Sequence, residues 1–160
     1  MNNAASHAVF KPLVVIPVYN HEQAIGAMVD GVRMHALECL LVDDGSHGSC
    51  AAVLDALAQR EGVHLLRLPH NQGKGGAMLA GFRNAAQRGA THVLQIDADG
   101  QHATTEIPRF LAAAKAAPQA IINGTPVYDS SVPKGRLYGR YLSPVWVWIN
   151  TLSGYIRDSM

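Results

Sequence analysis

Short apolar runs alternate along this chain with segments whose apolar residues recur every three or four positions, and that alternation predicts its architecture. Leu13-Val14-Val15-Ile16-Pro17-Val18 reads as a first buried strand. Ile25, Met28, Val29, Val32 and Ala36 then share one helical face, with Asn20 as the expected N-cap and Gln23 completing a capping box. Cys39-Leu40-Leu41-Val42 is a second strand, and Ser49 is placed to cap a helix with Cys50, Val53, Leu54 and Leu57 as its apolar stripe. Val63 to Leu68 is a third strand. A glycine-rich turn leads from it into a helix from about Lys74 to Arg88, closed by Gly89. Thr91 to Ile96 is the fourth strand, followed by a helix over Ile107 to Ala117 and the apolar run Ala120 to Asn123.

Strands and helices of these lengths in alternation predict an α/β fold, a mostly parallel sheet with helices on both faces. Right-handed crossovers then gather the strand C-termini at one edge, which is where ligands bind in such sheets. Tyr19-Asn20, Asp43-Asp44, Asn71 to Gly76 and Asp97 to Asp99 all fall at that edge. Further on, Pro126 to Gly135 is rich in turn formers and reads as a loop over it. Ser143-Pro144 opens a helix, apolar nearly all round, that carries Trp146 and Trp148 and ends near Gly154.

Bulk composition narrows the function classes. With 160 residues, 48% of them apolar and 16% charged, the chain suits one folded domain and is unlike a disordered segment. A net charge of +1 without any Lys/Arg block leaves no electrostatic footprint for nucleic acid. Cys39 and Cys50 make no disulfide framework and read as buried thiols in a reducing compartment. The first eleven residues lack the basic start and apolar stretch of a secretory signal. No apolar run approaches the roughly 20 residues that cross a bilayer. The expectation is a cytoplasmic protein, with peripheral membrane contact only from that side.

The candidate chemistry begins with Asp97-Ala98-Asp99-Gly100-Gln101-His102. Two carboxylates one residue apart at a strand end repel each other, and a hard divalent cation, Mg²⁺ or Mn²⁺, relieves that repulsion while leaving positions for phosphate oxygens. Asn71-Gln72-Gly73-Lys74-Gly75-Gly76-Ala77 joins a strand to a helix N-terminus, where free N–H groups and the Lys74 ammonium favour an anion. It is no Walker A loop, because Ser or Thr does not follow the lysine, and no dinucleotide fingerprint, because Met78 stands at the third glycine position. Asp44 can accept hydrogen bonds from a base or a ribose, and Tyr19 can stack on a base. His102 is open between metal ligand, phosphate donor and loop residue.

In this order and spacing, the segments Val14 to Asn20, Val42 to Ser46, Asn71 to Ala77 and Asp97 to His102 resemble the inverting nucleotide-sugar glycosyltransferases of family two. Those enzymes have the GT-A fold, and the likeness is greatest to polyprenyl-phosphate sugar synthases such as dolichyl-phosphate mannose synthase. The resemblance implies that Pro17, Tyr19 and Asp44 hold the nucleoside and that Gly73 and Lys74 lie at the diphosphate. It also implies that Asp97 and Asp99 bind the metal and that Gln101 completes its coordination. Arg136 and Arg140, four apart on an expected helix, would grip the acceptor phosphate or donor diphosphate. Asp158 resembles the start of the family's Asp-x-x-x-Gly-Phe-Arg loop, where it would serve as base toward a hydroxyl acceptor.

His21 stands where the family usually has Glu, and the chain stops before Gly-Phe-Arg, so it reads as truncated at its C-terminus. On this reading residues 1–160 form a single GT-A domain, with a nucleotide-binding part over 12–103 and the start of an acceptor-side part over 104–160. The expected partners are a nucleotide-sugar donor and an acceptor such as a lipid-linked phosphate. Two alternatives compete. A haloacid-dehalogenase-like phosphatase shares an Asp-x-Asp-Gly loop, but there it follows the first strand and Thr or Val replaces Gln101. A nucleotide-sugar-binding module without transfer activity would keep the donor motifs alone.

Overall fold

The computed structural model describes residues 9–124. Four strands form one parallel sheet: β1 (Pro12–Val18), β2 (Cys39–Asp43), β3 (Val63–Arg67) and β4 (His92–Gln95), in the spatial order β3-β2-β1-β4. Four helices connect or follow them: α1 (Ile25–Arg33), α2 (Gly48–Leu57), α3 (Gly73–Gln87) and α4 (Ile107–Ala116), the last preceded by a 3₁₀ turn over Thr104–Glu106. They lie within a compact unit that ends at Ile121.

The two-residue period of β1 sorts its side chains to opposite faces. Val14, Ile16 and Val18 pack with Ile25, Met28, Val29 and Val32 of α1, with Cys50, Leu54 and Leu57 of α2, and with Ile107 of α4. Leu13 and Val15 face the other way and pack with Leu40, Val42 and, from α3, Ala77, Met78 and Ala85. Every residue of β2 is buried, as expected of an inner strand in a parallel sheet covered on both sides. The parallel α/β architecture is therefore the one expected from the sequence.

Four local expectations fail. Asn20 does not cap α1, which begins at Ile25 with no side-chain cap; Asn20 adopts φ 57° and its Oδ1 accepts from the backbone N–H of His47 at 3.0 Å. Ser49 lies inside α2 rather than at its cap, and its hydroxyl donates to Glu22 at 3.2 Å. Both polar groups meet a partner on a neighbouring loop, which competes with capping their own helix. Ala36 falls beyond the end of α1 in a left-handed turn and is exposed. Ala120 to Asn123 adds no strand, and Ile121 there is largely exposed.

The chain passes from β1 outward to β3 and then crosses back over the sheet to β4 on the other side of β1. Strand order thus reverses between β1 and β4, and the loops leaving their C-terminal ends diverge to open a crevice. Arg136, Arg140, Trp146, Trp148 and Asp158 lie outside the described residues, as do the 126–135 loop and the 143–154 helix expected from the sequence.

Candidate functional site

A cleft of about 390 Å³ occupies that crevice. Pro17, Val18, Tyr19 and His21 line it from the end of β1, Asp44 from β2, Asn71, Gly73, Lys74 and Ala77 from the start of α3, and Asp97, Ala98 and Asp99 from β4. Pro17, Tyr19, Asp44, Gly73, Lys74, Asp97 and Asp99 thus meet in one cavity although they span 83 positions of sequence. Gln101 is not in the lining: its side chain is exposed, and its backbone N–H donates to Asp99 Oδ1 at 2.9 Å.

The two acidic residues ending β2 have different tasks. Asp43 is fully buried and receives Arg67 Nε at 2.8 Å and the Ser46 backbone N–H at 2.9 Å. It is a structural anchor, and in return it holds the Arg67 guanidinium even more firmly protonated. Asp44, only 3% exposed, accepts the backbone N–H of Gln72 at 2.7 Å through Oδ1. Its other oxygen has no hydrogen-bond partner among the described residues, and Asp44 is part of the cleft wall. Gly45 lets the two loops meet, since its φ of +74° is left-handed and a Cβ there would lie 2.8 Å from the backbone nitrogen of Asn71. Asp44 therefore connects the end of β2 to the turn that opens α3.

That turn is electropositive. Gly73 takes φ +76° to enter the helix and its N–H is taken by Asn71 Oδ1 at 2.9 Å, while the remaining first-turn N–H groups with the helix dipole make a positive corner. Lys74 adds its ammonium, which lies 2.7 Å from Asp97 Oδ2. Gln95 Nε2 donates to the other Asp97 oxygen at 2.9 Å. His102 closes the 97–102 turn by accepting the Asp97 backbone N–H on Nδ1 at 3.1 Å, and its Nε2 lies 3.9 Å from Asp97 Oδ2. Burial alone would raise the Asp97 carboxyl, but the hydrogen bonds from Lys74 and Gln95, with the charges of Lys74 and His102, hold it below its ordinary value. Gln95 was readable in principle: two residues before Asp97 on a strand, it shares that residue's face. Nothing in the sequence marked His102 as the closing residue of the turn.

Among the described residues no three His, Cys, Asp or Glu side chains converge as a ready-made metal site. Asp97 and Asp99 both face the cleft beside the anion corner and offer hard oxygen donors. This set fits Mg²⁺ or Mn²⁺, which commonly bind through one or two carboxylates and complete their shells with water and substrate phosphate. Among the described residues no helix is long and apolar enough to cross a membrane.

Comparison with known proteins agrees with this geometry. The profile described as "Glycosyl transferase family 2" matches residues 13–157. Polyprenol monophosphomannose synthase of Mycolicibacterium smegmatis is 39% identical over 111 residues, covering 66% of this chain and 42% of that protein. An undecaprenyl-phosphate 4-deoxy-4-formamido-L-arabinose transferase of Pseudomonas fluorescens is 39% identical over 110 residues, or 64% of this chain and 32% of the relative. An undecaprenyl-phosphate mannosyltransferase of Micrococcus luteus is 33% identical over 108 residues, with 66% and 44% covered. The matches thus span less than half the length of each of these relatives. Among solved structures, S. aureus TarS in complex with UDP superposes with a TM-score of 0.53 at 19% identity, covering 75% of this chain and 38% of that one. The likeness to TarS supports the fold alone.

Proposed function

Because the chain belongs to glycosyl transferase family 2, we propose that its cleft binds a nucleotide-diphosphate sugar and that the protein transfers the sugar to a polyprenyl phosphate. The observation that carries this reading is the meeting of Tyr19, Asp44, Lys74, Asp97 and Asp99 in one crevice at the β1/β4 switch point. Tyr19, half exposed, and Pro17 offer faces for a base, and Asp44 offers a buried acceptor for its N–H or for a ribose hydroxyl. The diphosphate then falls at Lys74 and the N-terminus of α3. The names of the relatives, which act on polyprenyl or undecaprenyl phosphate, support the acceptor class.

On this reading the reaction is a direct displacement. An acceptor phosphate oxygen attacks the anomeric carbon, the bond to the donor diphosphate breaks, and its electron pair leaves with the nucleoside diphosphate. Attack from the face opposite the leaving group inverts the centre. A phosphate acceptor is already anionic and needs no base. Lys74 and the α3 N–H groups meet the charge that grows on the leaving diphosphate, where it counts toward rate. A divalent cation held by Asp97 and Asp99 would supply Lewis-acid neutralisation of the same charge. Trp146 and Trp148 with the nearby Arg136 and Arg140 suit a membrane interface in composition, which fits work on a lipid-linked acceptor at the cytoplasmic face.

The test is a thermal-shift panel of nucleoside diphosphates and nucleotide sugars, each with Mn²⁺ and with EDTA. One nucleotide series should stabilise the wild type only with Mn²⁺, and Asp99→Ala should abolish the shift. Equal shifts in Mn²⁺ and EDTA would remove the metal from the account, and no shift with any nucleotide would remove the donor.

A further inference from the structure

Asp97 Oδ2 has two claimants. In the structure it holds the Lys74 ammonium at 2.7 Å, while its place beside Asp99 in the cleft makes the same carboxylate the natural ligand of a divalent cation. Both cations cannot sit on one oxygen at contact distance without strong repulsion. Lys74 has the freedom to leave. Its side chain is 61% exposed, so solvent leaves it room to turn. It also has a destination, because it belongs to the first turn of α3, where a diphosphate would be cradled.

We infer that Lys74 is an exchangeable counter-ion: it occupies Asp97 until a divalent cation and a diphosphate arrive together, then yields the carboxylate to the cation and turns to the phosphates. The inference rests on the donor reading above and adds an order to it. A cation arriving alone must displace the ammonium and leave it without an anionic partner. A cation arriving with diphosphate gives Lys74 a new partner in the same step. Cation and diphosphate therefore favour each other through Lys74, a coupling that is reciprocal by linkage. The arrangement also keeps Asp97 neutralised beside Asp99, so the two carboxylates need not face each other unscreened.

The distinguishing consequence is a pair of opposite effects from one substitution. In Lys74→Met the competitor for Asp97 is gone, so Mn²⁺ alone should bind more tightly. Because the Lys74 side of the ion pair is exposed to solvent, the gain is small, about two- to fivefold. The same variant loses a charge-assisted contact to phosphate, so Mn²⁺-pyrophosphate should bind at least about tenfold more weakly. Lys74→Arg keeps a cation on the same turn and should leave affinity for Mn²⁺ alone near the wild-type value.

Free Mn²⁺ can be counted by electron paramagnetic resonance on the intact protein, and Mn²⁺-pyrophosphate binding by calorimetry. Pyrophosphate serves as probe because it carries the diphosphate without a base. Tighter Mn²⁺ with weaker Mn²⁺-pyrophosphate in Lys74→Met, and wild-type Mn²⁺ affinity in Lys74→Arg, is the expected pattern. Unchanged or weaker Mn²⁺ binding in Lys74→Met, while the wild type binds both probes, overturns the exchange alone. A wild type that takes up no Mn²⁺ and binds pyrophosphate equally in EDTA overturns both the exchange and the metal-dependent reading.

Discussion

Asp44→Asn separates the two tasks that Asp44 performs. Asp44 is 3% exposed and lines the cleft; Oδ1 accepts the Gln72 N–H at 2.7 Å, and the other oxygen has no partner among the described residues. An asparagine keeps an acceptor for Gln72 but presents an NH₂ group to the ligand, so a donor meets a donor. A hydrogen bond to a charged group is worth about 1.5–3 kcal/mol, which is roughly a ten- to hundredfold loss of affinity. Nucleoside diphosphate should weaken by that factor in calorimetry with Mn²⁺. Pyrophosphate should bind as well as before or slightly better, since a negative charge has left the cleft. Asp44→Ala behaves differently: the Gln72 N–H loses its acceptor at a cost of about 1–3 kcal/mol, the turn before α3 loosens, and both ligands should weaken. If Asp44→Asn binds nucleoside diphosphate normally, or loses pyrophosphate to the same extent, Asp44 is a loop anchor and takes no part in recognising the nucleoside.

Other consequences are open to direct measurement. Arg67→Met leaves the fully buried Asp43 without its ion-pair partner and should lower unfolding free energy by about 2–3 kcal/mol, below the usual figure for a buried pair because Arg67 is itself partly exposed; urea denaturation reads it. The Asp97 carboxyl titrates below its ordinary value of 3.8, so its ion pair contributes fully above that value and is lost as pH falls through the folded midpoint; carbon NMR should show this midpoint rising toward 3.8 or beyond in Lys74→Met. Burial pushes the Cys39 thiol up to about 11, so it should resist iodoacetamide at pH 8 in the folded protein and react readily in urea.

The fold was legible because β1 and β2 are continuous apolar runs, the mark of inner strands buried on both faces, because α1 and α2 carry apolar faces at helical spacing, and because a glycine-rich turn and Gly89 bracket α3. The cleft was legible for a related reason: parallel topology sends every strand C-terminus to one edge, so Tyr19, Asp44, Lys74 and Asp97 had to be neighbours. Polar side chains were harder to read. Asn20 has the spacing of a cap, yet Oδ1 answers a backbone N–H 27 residues away, and spacing cannot distinguish a partner on its own helix from one on another loop. Asp43 and Asp44 are adjacent and chemically identical, and only the three-dimensional placement of Arg67 and Gln72 shows which is structural and which borders the cleft. Lys74 was expected at the diphosphate, and its contact with Asp97 across 23 residues came only from the structure.

The most direct test of the central claim is sugar transfer itself. The full-length protein is incubated with a panel of radiolabelled nucleotide sugars, Mn²⁺ and a short-chain polyprenyl phosphate, and label is followed into the lipid-extractable fraction. A glycolipid should form from one donor class with the wild type, and none with Asp99→Ala or in EDTA. Failure of every donor to label the lipid, or equal labelling by Asp99→Ala, would contradict it.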